Sequence, residues 1–148
     1  MAMHLPLYLL SPEPAAKANM SGSDRATFRH LTSQQSDLDL SLDIWTAVLL
    51  LFHDHDWEIS ILRAALQSDP FYIGALGSSF THTQRQNSLR ALGVGEEELA
   101  RITGPIGAIP AARDAHTLAI SALAEIIDAY RQSLTQNTTV PHFSARAI

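Results

Sequence analysis

The feature that most constrains the fold is an apolar run at residues 71–76, which is followed at once by Gly77, Ser78 and Ser79. The run is too short for an independent helix and predicts a buried β-strand. Gly77 permits a sharp turn, and Ser78 or Ser79 offers a side-chain oxygen to cap the helix predicted over residues 81–92. A strand, a tight turn and a helix form half of a βαβ unit, so the chain is predicted to adopt an α/β fold.

Further strands and helices are predicted on both sides of this unit. An apolar run at residues 45–52 lacks polar alternation, which is typical of a strand covered on both faces. Strands are also predicted at residues 5–10 and 26–31, and helices at residues 59–67, from Glu96, and after a cap at Asp114. The last helix is expected to pack on the sheet through an apolar stripe, which contains Leu118, Ala119, Ala122, Leu123, Ile126, Ile127 and Tyr130.

Length and composition exclude several classes of protein. The 148 residues suffice for one domain, assigned to residues 1–134, with a polar tail at residues 135–148. The chain has no cysteine, which excludes disulfides and thiolate metal sites, and its net charge of −5 without a basic cluster argues against nucleic-acid binding. No apolar run reaches the length of a membrane span, and the N-terminus lacks the pattern of a signal peptide, so a cytoplasmic protein is expected.

Polar and glycine-rich residues follow the predicted strands. Because ligands of open α/β sheets collect at the carboxyl ends of the strands, we predict a binding site there. Its residues are His53, Asp54, Gly77, Ser78, Gly104, Pro105, Ile106 and Gly107. The run from His53 to Asp56 invites a metal interpretation, but the alternative is favoured, in which Asp54 or Asp56 caps the next helix. No metal site is predicted, and His53 is expected to form hydrogen bonds.

Other charged side chains are given structural roles. Arg85 lies within the helix predicted at residues 81–92 and is expected on its solvated surface. Glu125 is expected to pair on the surface of the last helix, and His116 to face solvent. The three glutamates from Glu96 indicate a helix start, because acidic side chains complement the helix dipole there.

Four short segments occur in a recognisable order. They are HD at residues 53–54, YIGALGS at 72–78, GPIG at 104–107 and AISALAEI at 119–126. Together they resemble the C-terminal Rossmann domain of the XdhC/CoxI family, whose members are accessory factors for xanthine dehydrogenase and related molybdenum hydroxylases. The resemblance covers residues 45–131 well and the first 44 residues poorly.

The chain also departs from the family's pattern at several positions. The family's glycine-rich first βα unit would precede residue 1, and no G-x-G-x-x-G occurs in the chain. The expected fold is therefore a three-layer, Rossmann-like parallel sheet, shortened by that unit. Ser11 replaces the family's ribose-binding acidic residue, with Glu13 nearby, and Ser79 replaces its arginine after Gly-Ser. NAD(P) binding is expected to be weak or absent, because a pyrophosphate needs the N–H groups of a glycine-rich turn.

Three functions are compatible with these observations. The resemblance implies a non-catalytic bacterial chaperone for a molybdenum hydroxylase such as xanthine dehydrogenase, which handles or inserts molybdenum cofactor. The fold alone would suggest an NAD(P)-dependent oxidoreductase, and a degenerate paralogue serving only as an interaction module is the third possibility. No base is paired with a nucleophile in a recognisable motif, so no catalytic residue is predicted.

The expected fold also has a consequence for the oligomeric state. A Rossmann-like sheet without its central first strand leaves backbone groups of residues 45–52 unpaired. Either residues 5–10 pair with them inside one chain, or two copies associate and cover apolar surface. We expect a homodimer.

Overall fold

The computed structural model describes residues 6–20, 26–32, 40, 42–52, 55–110, 112 and 114–137. The chain divides into two compact units, Met1–Gln35 and Ser36–Ile148. Each unit contains its own small sheet, and every strand pair in both sheets is parallel. The predicted α/β class with parallel pairing is confirmed. None of the described helices is long and apolar enough to span a membrane.

In the described part of the first unit, two strands flank a 3-10 helix at Pro14–Met20. Strand β1 (Leu7–Ser11) pairs with β2 (Ala26–His30), and the Leu31 N–H extends this pairing by donating to the Ser11 carbonyl at 2.9 Å. The Ser11 hydroxyl accepts a hydrogen bond from the Glu13 N–H at 3.0 Å, where two prolines prevent the strand from continuing. Both strands predicted in this region are confirmed.

The described residues of the second unit form three strands and four helices. In chain order they are β3 (Ala47–Leu50), α1 (His55–Leu66), β4 (Tyr72–Ala75), α2 (Ser79–Ala91), α3 (Glu96–Leu99), β5 (Ile102–Thr103) and α4 (Ala115–Asn137). The sheet order is β3-β4-β5, with Ala47 opposite Tyr72 and Ile73 opposite Ile102. Strand β5 has two residues and was not predicted.

The two longer strands of this sheet differ in burial. All four residues of β4 are buried, as the apolar run predicts. Strand β3 is shorter than predicted, and its expected coverage on both faces is wrong: Leu49 is 37% exposed, and Trp45, before the strand, is 55% exposed. The reason is position, because β3 is at the edge of the sheet formed by the described residues. Pairing of residues 5–10 with this edge is not among the described strand pairs.

Local signals set the ends of α2 and α4. The Ser78 hydroxyl accepts from the Thr81 N–H at 3.1 Å and caps α2, and Gly93, with φ of +87°, follows its end. The Asp114 carboxylate accepts from the Thr117 N–H at 2.8 Å, which lowers the pKa of Asp114. Helix α4 then continues to Asn137, into the segment predicted as a tail.

The predicted N-cap of α1 and the predicted packing face of α4 need correction. Helix α1 begins at His55, so Asp56 is its second residue and cannot be its N-cap, and Asp54 lies outside the described residues. On α4, Ala122 is buried as predicted, whereas Leu123 is 52% exposed and Ile127 is also exposed. The buried face instead includes Ser121, because polar contacts to a loop fix the rotation of this helix.

Candidate functional site

The carboxyl ends of β3, β4 and β5 meet at one edge of the sheet, because the strands are parallel. Beyond the strand ends, the Leu76 N–H donates to the Leu50 carbonyl at 2.9 Å, and the Ile106 N–H donates to the Ala75 carbonyl at 3.3 Å. The structure therefore brings together the two predicted segments at residues 77–78 and 104–107. His53 and Asp54 lie outside the described residues, so their placement stays a prediction.

The loop between β4 and α2 packs tightly against the first turn of α2. Gly77 has φ of +144°, and a Cβ added there would lie 3.0 Å from the Thr81 side chain. A larger residue at this position would therefore be strained as well as crowded. The Ser78 hydroxyl is already engaged with the Thr81 N–H and lies 2.9 Å from the Thr81 hydroxyl. Ser78 thus acts as a helix cap, and both loop residues remain exposed.

An ion pair is buried behind this loop. Arg85 Nη2 lies 2.8 Å from Glu58 Oε1, and the two residues are only 2% and 1% exposed. The same Nη2 donates to the Leu76 carbonyl at 2.8 Å, which fixes the end of β4. Arg85 Nε is buried without a hydrogen-bond partner among the described residues. The predicted surface position of Arg85 is wrong.

Sequence reasoning missed this pair because each residue was assigned alone. A usable signal was present in both helices. Glu58 shares the inward face of α1 with Ile61, Leu62 and Ala65, at helical spacing. Arg85 lies one turn before the buried Leu89. A glutamate on an apolar face of one helix and an arginine one turn from a buried leucine on the other together indicate a buried pair rather than two solvated side chains.

His82 lies between the two loops. It is in the first turns of α2, and its ring lies against Gly104, where an added Cβ would be 2.3 Å from Nδ1. Arg85 Nη1 lies 3.2 Å from the same Nδ1. Burial lowers the pKa of His82, the positive charge of Arg85 lowers it further, and Glu58 opposes the change. Sequence reasoning assigned no role to this histidine.

The loop between β5 and α4 begins with a cis peptide bond between Gly104 and Pro105. Three successive N–H groups of this loop donate to α4. The Gly107 N–H donates to Glu125 Oε2 at 2.6 Å, the Ala108 N–H to the Ser121 carbonyl at 3.2 Å, and the Ile109 N–H to the Ser121 hydroxyl at 2.7 Å. These N–H groups are therefore directed into the protein.

Glu125 also reaches the central strand. The Tyr72 hydroxyl donates to Glu125 Oε1 at 2.6 Å, and the prediction of a surface pairing role for Glu125 is wrong. Burial raises the pKa of Tyr72, and the hydrogen bond to Glu125 raises it further. Gly74 makes this contact possible, because a Cβ there would lie 2.4 Å from the Tyr72 hydroxyl oxygen.

These contacts separate groups that are free to meet a ligand from groups that hold the edge together. Gly77, Ser78 and Pro105 are exposed, and Gly104 and His82 are partly exposed. Ile106 is buried, and the Gly107 N–H is engaged by Glu125. In the part of the chain that the structure describes, no group of three or more His, Cys, Asp or Glu residues is placed to hold a metal ion.

A concavity between α1 and α2 has a volume of about 230 Å³. Its lining residues are Ile59, Phe80, Thr81, Gln84, Arg85 and Ser88. None of the residues predicted from the sequence lines it. It is smaller than the roughly 300–1,000 Å³ typical of ligand pockets, so the carboxyl edge remains the candidate site.

Comparison with known proteins agrees with this architecture. A profile described as the XdhC Rossmann domain matches residues 2–126. The chain is also 41% identical, over 124 residues, to a protein of Escherichia coli (strain K12) named molybdenum cofactor insertion chaperone PaoD. The matched region covers 84% of this chain and 39% of that protein. The chain thus spans about two-fifths of the length of this relative.

Proposed function

The chain belongs to the XdhC family, and from this premise we propose that it is a non-catalytic accessory protein that binds molybdenum cofactor for insertion into a molybdenum hydroxylase. The observation that carries the proposal is the 41% identity to a molybdenum cofactor insertion chaperone over most of this chain. The partner enzyme would be xanthine dehydrogenase or a related hydroxylase, and the cytoplasm the place of action. Binding and delivery require a shaped surface rather than a catalytic constellation.

The carboxyl edge of the sheet is the proposed binding surface. Gly77 and Ser78 on one loop, and Gly104 and Pro105 on the other, would contact the cofactor, and His53 and Asp54 would complete the site from the end of β3. Ile106 and Gly107 would shape the second loop from within, because one is buried and the N–H of the other is engaged.

A direct experiment is to produce the chain in cells that synthesise molybdenum cofactor and to purify it quickly. Molybdenum is measured by mass spectrometry, and the pterin by the fluorescence of its oxidation product. The proposal predicts both, near one per chain. A Gly77→Val variant should retain neither, because the loop cannot accept a β-branched residue at φ of +144°. Gly95→Ala is the matched control, since a Cβ there meets only Glu98 Oε2 at 3.7 Å. Absence of both molybdenum and pterin from the wild type would contradict the proposal.

The same preparation tests the nicotinamide alternative. Titration calorimetry with NAD and NADP is expected to give no dissociation constant below about 100 μM, which corresponds to roughly −5.5 kcal/mol. The inward direction of the N–H groups at residues 107–109 supports this expectation, since they cannot bind a pyrophosphate. Saturable binding at low micromolar concentration would favour an oxidoreductase.

A homodimer is proposed as the functional assembly. The support is the edge strand β3, where Leu49 within the strand and Leu51 directly after it expose apolar surface. Light scattering coupled to size-exclusion chromatography should give twice the chain mass of 16.2 kDa. A single chain mass across micromolar concentrations would exclude a stable dimer.

A further inference from the structure

Building on the proposed function, we propose that His82 contacts the bound cofactor and donates a hydrogen bond from its Nε2 to one of the cofactor's oxygen atoms. The molybdenum cofactor carries oxygen acceptors on its phosphate, its pterin and its metal. His82 lies outside the set of site residues predicted from the sequence.

The position of His82 is the first step. The residue is on the first turns of α2, which begins directly after the Gly77-Ser78 loop, and its ring lies against Gly104 of the other loop. The missing side chain at Gly104 leaves the space that the ring occupies, because an added Cβ would overlap Nδ1 at 2.3 Å. His82 therefore lies where the two loops of the proposed binding surface meet.

The second step is the tautomer of the ring. Arg85 Nη1 lies 3.2 Å from His82 Nδ1, and a guanidinium nitrogen can only donate. Nδ1 must therefore be the acceptor, which places the ring proton on Nε2. The guanidinium is held in place by Glu58 and the Leu76 carbonyl, both at 2.8 Å, so the orientation of the ring is fixed from behind.

The third step is the availability of Nε2. Among the described residues this nitrogen has no hydrogen-bond partner. His82 itself is partly exposed, so a ligand can reach the Nε2 side of the ring. The ring thus has one nitrogen bound inside the protein and one N–H directed outward, as a neutral donor for a ligand oxygen.

The tautomer can be tested without any ligand. In a ¹⁵N–¹H correlation spectrum of the ligand-free wild type, His82 is expected to show a pyridine-type Nδ1 and a pyrrole-type Nε2. The spectrum of a His82→Gln variant assigns the signals. The opposite pattern, with the proton on Nδ1, would overturn the proposal.

Binding provides the second test, with molybdenum and pterin content as the readout. His82→Phe keeps a ring beside Gly104 but removes the donor, and it should retain about tenfold less cofactor at limiting supply. His82→Gln, whose amide can place an N–H near the position of Nε2, should stay within about threefold of the wild type. His116→Phe, which alters an exposed histidine of α4, is the control and should match the wild type.

The outcomes distinguish the two proposals. If the wild type binds cofactor and His82→Phe binds it equally well, the role of His82 is wrong and the proposed function stands. If the wild type itself carries neither molybdenum nor pterin, the proposed function fails, and the role of His82 fails with it. Circular dichroism of each variant confirms that a loss of binding is not a loss of fold.

Discussion

The two loops at the carboxyl edge are both held by a glutamate from a helix, but by different chemistry. The loop after β4 presents the Leu76 carbonyl, which only accepts, so Glu58 acts through Arg85, and the guanidinium donates to both. The loop after β5 presents the Gly107 N–H, to which Glu125 binds directly at 2.6 Å. The polarity of the backbone group thus decides whether a cation is needed between the loop and the carboxylate.

The two arrangements also differ in burial, which sets their sensitivity to mutation. Glu58 and Arg85 are both almost fully buried, whereas the hydrogen bonds of Glu125 are partly buried. Removing one member of a buried pair leaves an uncompensated charge, and this costs more than the pair contributes when intact. We therefore expect the first loop to depend far more strongly on its charged residues than the second.

The largest expected effect is that of Arg85→Met. The substitution leaves Glu58 buried opposite an apolar side chain, and the free energy of unfolding should fall by about 3–5 kcal/mol. Urea denaturation followed by circular dichroism measures this change. Arg90→Met on the same helix is the matched control, because Arg90 pairs with Glu96 in solvent. Its unfolding midpoint should not change measurably.

The double variant Glu58→Met with Arg85→Met sharpens this test. Because both charges are removed together, the double variant should be more stable than Arg85→Met alone. A double variant that is no more stable than Arg85→Met would show that the cost arises from lost packing or from the lost hydrogen bond to the Leu76 carbonyl, and not from the buried charge of Glu58.

A smaller effect is expected for Gly107→Ala in the second loop. Gly107 has φ of +116°, and an added Cβ would lie 2.6 Å from the Ser121 hydroxyl oxygen. Backbone strain and overlap together should cost about 2–3 kcal/mol in the free energy of unfolding. Gly95→Ala, whose added methyl group makes only an ordinary contact with Glu98 Oε2 at 3.7 Å, should cost below about 1 kcal/mol. Equal losses of stability for the two variants would show that the loop between β5 and α4 adapts to a side chain at position 107, which would contradict the prediction.

Tyr72→Phe tests how much the hydrogen bond between Tyr72 and Glu125 contributes to stability. The variant removes the 2.6 Å hydrogen bond to Glu125 and keeps the ring over Gly74, so about 1–2 kcal/mol of stability should be lost. Tyr8→Phe, at an exposed position of β1, is the control and should be neutral. A loss of stability as large as that of Arg85→Met would contradict the expectation that the first loop depends more strongly on its charged residues than the second.

The smallest effect is a dependence on pH. Since the pKa of His82 in the folded protein lies below its ordinary value of 6.5, the unfolded chain protonates first as the pH falls. Stability from this group is fully present above pH 6.5 and decreases on acidification toward the folded pKa. The charged groups that influence the ring are Arg85 and Glu58. Urea denaturation at several pH values should show a shallower decrease for His82→Gln, and an unchanged slope would contradict the assignment.

Local signals in the sequence were sufficient for most elements of the fold. The buried strand at β4, the cap at Ser78, the helix end before Gly93 and the cap at Asp114 all occur as predicted. Each depends on residues within a few positions of one another, where backbone conformation and short-range hydrogen bonds decide the outcome. The order of the strands along one edge then brought residues 77–78 and 104–107 together.

The sequence by itself therefore determined most of the elements, their parallel arrangement and the edge at which residues 77–78 and 104–107 meet. Only the tertiary structure decided which charged side chains are buried. Arg85 meets Glu58 across 27 positions, Glu125 meets Gly107 across 18 and Tyr72 across 53. An isolated arginine or glutamate is expected in solvent because burying its charge is costly. A partner from a distant segment reverses that balance, and helical or strand periodicity does not identify such a partner.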